Sequence, residues 1–203
     1  MIDLLHCDCM DYMAGLEDNA FELAIVDPPY GIGNWVQTTG KTALNPVSVG
    51  WNDTKPTIEY FNEVKRVSVN NIFWGWNYYT EELGSTNSLI YWDKKMGSFT
   101  YSAGELACHS FGGSLIAVTI PLMSQAPKYR IHPCQKPVKL YQWLLANYAK
   151  PGDRILDTHL GSGSSAIAAH YAGFDFVGCE LDEDYYNAAV ERFHAETAQQ
   201  ALL

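Results

Sequence analysis

The sequence predicts an α/β fold. Short apolar runs alternate along the chain with stretches of helical period. Two of those runs end on an acidic residue just ahead of an unusual turn, in "LAIVDPPY" (23–30) and in "RILDTHLGSGS" (154–164). No internal repeat or low-complexity tract competes with this pattern.

"FELAIVD" (21–27) reads as a buried strand. Pro28 and Pro29 stop it, because proline cannot donate to a sheet ladder. The residue before a proline is pushed to extended backbone, so Asp27 is expected stiffly held at the strand end, with Tyr30 close behind. "TIEYFNEVKRV" (57–67) reads as an amphipathic helix with Ile58, Phe61, Val64 and Val67 on one face. "NNIFWGW" (70–76) and "NSLIYWD" (87–93) read as strands ending near Trp76 and Asp93. "PVKLYQWLLANYA" (137–149) is a helix with proline in its first turn. "DRILDTHLGSGSSAIAAHYAG" (153–173) reads as strand, glycine loop and helix, ended by Gly173. "FDFVGCELD" (174–182) is the next strand and "EDYYNAAVERFHAETAQQ" (183–200) a terminal helix. Segments 34–56 and 94–130, rich in Gly, Ser, Thr and Pro, are expected as loop insertions over the sheet of one domain spanning 1–203.

Composition narrows the function classes. At 47% hydrophobic and 18% charged residues the chain is globular, and no apolar run approaches the ~20 residues that span a bilayer. The start "MIDLLHCDCMDYM" lacks a basic signal-peptide region, so no membrane partner is expected. Five cysteines in no disulfide-like arrangement point to a reducing compartment, the cytoplasm. Cys7-Asp8-Cys9 lacks zinc spacing and a second ligand pair, so no metal is expected. Net charge is −10, yet residues 94–139 carry six Lys/Arg against one acid. Lys94, Lys95, Lys128 and Arg130 within that basic segment are candidates for phosphate contacts. Trp35, Trp51, Phe99 and Tyr101 are candidate wedges or stacking partners.

Gly161-Ser162-Gly163-Ser164-Ser165-Ala166 fits a dinucleotide fingerprint, and Glu180 follows Gly163 by seventeen residues at the end of the next strand. An acid there accepts the two hydroxyls of a ribose, so any nucleoside cofactor suits the spacing. A plain strand-to-helix turn would also want these glycines. Asp157, just ahead of the loop, would repel a pyrophosphate and tolerate a cationic cofactor. S-adenosylmethionine, with an amino group, a sulfonium, a ribose and no phosphate, fits better than NAD, and the helix N-terminus suits its carboxylate.

Taken together, the motifs resemble those of the amino-group (N6-adenine/N4-cytosine) DNA methyltransferases. "DPPY" (27–30) is similar to their catalytic motif, "DTHLGSGS" (157–164) to their cofactor loop, and "HPCQKP" (132–137) to a motif that precedes that loop in one subgroup. The approach from "HCDCMDYM" to the catalytic motif also resembles that subgroup, with Asp8 in the place of its Gly-Asp aspartate. Catalytic motif first and cofactor loop last is the β-type order. Thr158-His159 departs from the usual Pro-Phe, and Cys7 stands where glycine is common. The resemblance implies a doubly wound, mostly parallel Rossmann-like methyltransferase sheet with helices on both faces. It also implies methyl transfer from S-adenosylmethionine to the N6 amine of adenine in double-stranded DNA, with N4 of cytosine as the alternative. NAD-dependent redox and a non-catalytic nucleic-acid binder are the rivals from other classes. The first leaves "DPPY" and "HPCQKP" unexplained.

The chemistry accounts for the residue types. An exocyclic amine is a poor nucleophile because its lone pair is delocalised. Asp27 and the Pro28 carbonyl can accept its two N–H bonds and favour a pyramidal nitrogen, while Pro28 and Pro29 supply stiffness. Positive charge growing on the nitrogen then binds these acceptors more tightly in the transition state. Tyr30 is placed to stack on a flipped base. At the cofactor, Glu180 would take the ribose hydroxyls, and backbone groups of Leu160, Gly161, Ser162, Gly163 and Ser164 would line the methionine end. Asp157 would face the amino end, Asp8 would reach the amino group or adenine edge unless it merely caps a helix, and Gln135 and Lys136 would close the pocket. The middle segment is short for a recognition domain, which implies a short target or a second subunit, as in a homodimer.

Overall fold

The computed structural model describes residues 1–33, 52–96, 102–122 and 131–198. Strand β1 (Ile2–His6) leads into α1 (Cys9–Ala14), and β2 (Phe21–Val26) stops one residue short of Asp27. Helix α2 (Ile58–Val67) returns the chain to β3 (Ser68–Trp74), which a 3₁₀ turn (Trp76–Tyr78) and the short α3 (Thr80–Leu83) follow. Then come β4 (Leu89–Asp93), β5 (Gly104–His109), β6 (Ile116–Thr119) and α4 (Val138–Tyr148). Strand β7 (Arg154–Asp157), α5 (Ser164–Ala172), β8 (Asp175–Glu180) and α6 (Glu183–Thr197) complete the order.

The strands form one sheet in the order β1-β8-β7-β2-β3-β5-β4-β6. Among the described strands, only β5 runs antiparallel to its neighbours, β3 and β4. Helix α2 carries the crossover from β2 to β3, and α5 carries the one from β7 to β8 on the opposite side of the β2–β7 pair. Right-handed crossovers that diverge in this way put their helices on opposite faces. The core divides accordingly. Leu23 and Ile25 of β2 face a cluster with α4, α5 and α6, while Ala24 and Val26 face one with α1 and α2. Buried Trp74, Trp92, Phe61 and Phe176 anchor the two layers, and each side chain of this kind contributes roughly 1.5–3 kcal/mol on burial.

Three expectations need correction. Segment 94–130 is not loop throughout, because β5 and β6 lie in it and pair with β3 and β4. Ile58 is exposed, and Tyr60 joins Phe61, Val64 and Val67 on the buried face of α2. At 100° per residue, Ile58 lies about 130° from the centre of that face. The strand expected to end near Trp76 stops at Trp74, where Gly75 takes a left-handed φ of +77°. Residues 34–51, including Trp35 and Trp51, lie outside the described residues, as do Phe99, Tyr101, Lys128 and Arg130. Among the described residues, no helix is long and apolar enough to cross a membrane.

Candidate active site

Strands β2 and β7 are parallel neighbours, with Leu23 opposite Ile155 and Ala24 opposite Leu156. "DPPY" and the glycine loop therefore leave the same end of the sheet side by side, where the crossovers diverge. Such a switch point opens a crevice at the strand ends.

Asp27 keeps only 16% of its side chain exposed. The Tyr30 hydroxyl donates to Asp27 Oδ1 at 2.5 Å, and Lys136 Nζ donates to Oδ2 at 2.5 Å. The Pro28 carbonyl has no ladder partner, as expected, but it is not free. Tyr79 Oη lies 2.8 Å from the Pro28 oxygen and 2.6 Å from that of Pro29. Nor does Tyr30 present a bare ring, since it stacks on Tyr78 at 4.8 Å and 15°. Gly75 makes room for it, because a Cβ there would come within 2.3 Å of the ring. Asn52 Oδ1 accepts from the backbone N–H groups of Tyr30 and Gly31, and Asn52 Nδ2 donates to the Gly33 carbonyl. The turn after the motif is thereby latched from a distant segment.

Lys136 was expected at the cofactor; the structure puts its ammonium on Asp27 and, at 2.9 Å, on Glu105 Oε2. Lys94 was expected on phosphates; it is largely buried, with Nζ 2.5 Å from Glu105 Oε1. Two lysines and two carboxylates thus form a balanced buried cluster. Burial alone would raise the Glu105 carboxyl, but Lys136 and Lys94 outweigh it and hold it down at about 2. Burial lifts Asp27 and the Glu105 charge adds to the rise, against the pull of Lys136. Burial would lower the Lys136 ammonium, yet the carboxylates of Asp27 and Glu105 raise it. Lys95 stays exposed, its Nζ 3.8 Å from Asp93 Oδ2.

At the glycine loop, Glu180 Oε2 accepts from Gly161 N at 2.8 Å and Oε1 from Asp182 N at 3.0 Å. Each oxygen keeps acceptor capacity for a hydroxyl, and the half-buried carboxylate stands at the end of β8, so the pair fits a ribose diol. Asp157, expected at the cofactor's amino end, is held within the protein. It is 1% exposed, and its oxygens accept from Ser165 Oγ at 2.6 Å and His159 N at 3.0 Å. Leu160, Ser162 and Ser164 are also buried. Arg192 of α6 donates to the Ser162 carbonyl at 2.8 Å and the Ser164 hydroxyl at 2.9 Å, so this cation braces the loop. Gly163, at φ +74°, turns the chain into α5. Where the family's usual proline and phenylalanine are replaced, Thr158 Oγ1 meets Tyr60 Oη at 2.6 Å and His159 Nδ1 at 2.9 Å. Asp8 caps α1 through Met10 N at 2.7 Å, and Gln135 Oε1 accepts from Ile131 N within its own turn.

An α/β sheet with a fixed strand-end carboxylate beside a loop and acid suited to a nucleoside defines a group-transfer site of the nucleoside-cofactor class. A family model described as DNA methylase matches residues 52–191. The chain therefore belongs to the N6/N4 amino-group DNA methylase family, whose methyl donor is S-adenosylmethionine. Membership decides against the nicotinamide reading of the loop. A protein of Escherichia coli (strain K12) that bears the name of a methylase, YubD, is 28% identical, over 93% of this chain and 88% of its own length. The solved M1.HpyAVI complex with S-adenosylmethionine superposes with a TM-score of 0.66 at 17% identity, over 95% of this chain and 98% of that one. The PvuII DNA methyltransferase, cytosine-N4-specific, gives 0.62 at 12% identity, over 98% and 92%. These two show a shared fold.

Proposed function

We propose that the protein transfers a methyl group from S-adenosylmethionine to the N6 amine of adenine in double-stranded DNA. The observation that carries this reading is the placement of Asp27 just past the end of β2, beside β7 and its glycine loop, with Glu180 at the end of β8, the next strand. Glu180 would hold the ribose hydroxyls and Gly161 would allow close backbone approach. When bound, the cofactor supplies an electrophilic methyl group on a sulfonium.

The chain's own groups prepare the amine. Asp27 accepts one N–H, and the carbonyls of Pro28 and Pro29, held in place by Tyr79, offer the second acceptor. As the nitrogen turns tetrahedral and positive, both acceptors bind it more strongly. The proton then shed is taken up by Asp27 or by water. Aspartate rather than serine ahead of Pro-Pro-Tyr supports adenine, through resemblance. The middle segment of the sequence, short for a recognition domain, supports a short target or a second copy sharing the DNA.

Transfer of tritiated methyl groups into unmethylated DNA, followed by nucleoside analysis, tests the reading, with Asp27→Ala in parallel. The expected label is N6-methyladenine, lost by at least a hundredfold in the variant, as roughly 10²–10³ follows loss of one transition-state partner. Label in N4-methylcytosine would keep the mechanism and overturn the base. Absence of label in DNA would overturn the substrate.

A further inference from the structure

Both oxygens of Asp27 are occupied before any base arrives, one by the Lys136 ammonium and one by the Tyr30 hydroxyl. An incoming amine competes with these two donors for the carboxylate, whose oxygens each retain one further acceptor position. Lys136 is only 2% exposed, so it cannot retire into solvent without rearranging the core. It is already bonded at 2.9 Å to Glu105 Oε2, and the Tyr30 hydroxyl lies 3.4 Å from the same oxygen. Glu105 is fixed in turn. Lys94 grips its other oxygen, and β5 is paired on both edges, to β3 and to β4.

We propose that Glu105 is a positioning residue for methyl transfer, taking over the Lys136 ammonium and the Tyr30 hydroxyl as the target amine claims Asp27. The inference rests on the methyltransferase reading above. Its physical core is charge balance. With Glu105 present, Lys136 leaves Asp27 and remains paired. Without it, the same shift would strand a buried ammonium, which is strongly unfavourable, so Lys136 would stay on Asp27 and compete with the substrate. No proton need move, because Lys136 stays protonated throughout and the amine supplies the replacement hydrogen bond.

Single-turnover methyl transfer into unmethylated double-stranded DNA tests this with wild type, Glu105→Gln, Lys136→Met and the double variant. Glu105→Gln should slow transfer by roughly tenfold or more. Lys136→Met should cost less, and adding Glu105→Gln to it should change the rate by less than about threefold, because no ammonium remains to be parked. A Glu105 that merely supports the fold would cost the same factor in both backgrounds, and that result overturns the proposal. So does a Lys136→Met enzyme as slow as Glu105→Gln. Glu105→Gln combined with Lys94→Met keeps the cluster neutral and should be as slow as Glu105→Gln. It serves as the test if the single variant does not fold. Wild type that labels no DNA overturns the methyltransferase reading itself, whereas active wild type with an equally active Glu105→Gln overturns Glu105 alone.

Discussion

At Asp157 burial and hydrogen bonding pull in opposite directions. Burial wins, and despite the bonds from Ser165 and His159 the carboxyl is pushed up to about 7. The folded state therefore binds a proton more readily than the unfolded chain between about pH 4 and pH 7. Stability from this group is fully present below the unfolded value and is lost as pH rises through the folded one. Urea denaturation across that range should show wild type losing stability relative to Asp157→Asn as pH increases; a constant difference would contradict it. Tyr79→Phe should cost roughly 1–3 kcal/mol in the same assay, because the strand-end carbonyls of Pro28 and Pro29 lose their hydroxyl donor. Asp27 and Glu180 were legible because each ends a strand beside a turn of restricted residue types. Tyr79, Asn52, Glu105 and Arg192 were not, since each reaches the site across the fold from an ordinary sequence context. For Lys136 a signal did exist. A lysine wedged between Gln135 and Pro137 at the start of a buried helix has little access to water and needs an acid.

Helices α2 and α4 and strands β2, β3, β4 and β8 announced themselves by period, and their bounds hold to within a residue or two. Strands β5 and β6 were hidden because "GELACH" and "IAVT" are short and sit in glycine- and serine-rich surroundings. Only pairing with β3 and β4 makes them strands, and pairing is not local information. The join between β3 and the 3₁₀ turn is the element most sensitive to a single atom. Gly75→Ala would add left-handed strain and drive a methyl group into the Tyr30 ring, which Tyr78 backs. We expect a loss of roughly 2–5 kcal/mol on thermal or urea unfolding, the sum of the backbone and overpacking costs. Helix α6 acts on the loop at longer range. Arg192→Met removes the brace on Ser162 and Ser164, so the KM for S-adenosylmethionine should rise by about tenfold or more with a smaller change in kcat. A kcat loss with unchanged KM would place the role of Arg192 elsewhere.

Over the whole molecule, the charge distribution constrains how DNA is held. The chain is acidic overall, and its basic segment reads from sequence as six cations against one acid. Folding removes two of the six, because Lys94 and Lys136 are spent on Asp27 and Glu105 inside the site. At most four are left as the proposed phosphate contacts: Lys95 and Lys139, with Lys128 and Arg130, which lie outside the described residues. Each phosphate neutralised steepens the dependence of log K on log salt concentration by about 0.9, so this segment supports a slope no steeper than about −4 per chain. Fluorescence anisotropy of labelled duplex across a salt series measures it directly. Weak, shallow dependence would mean that affinity comes mainly from the flipped base and its hydrogen bonds rather than from the backbone. A slope near twice that value per chain would require cations outside the segment, and the phosphate contacts would then have to be sought on another face of the sheet.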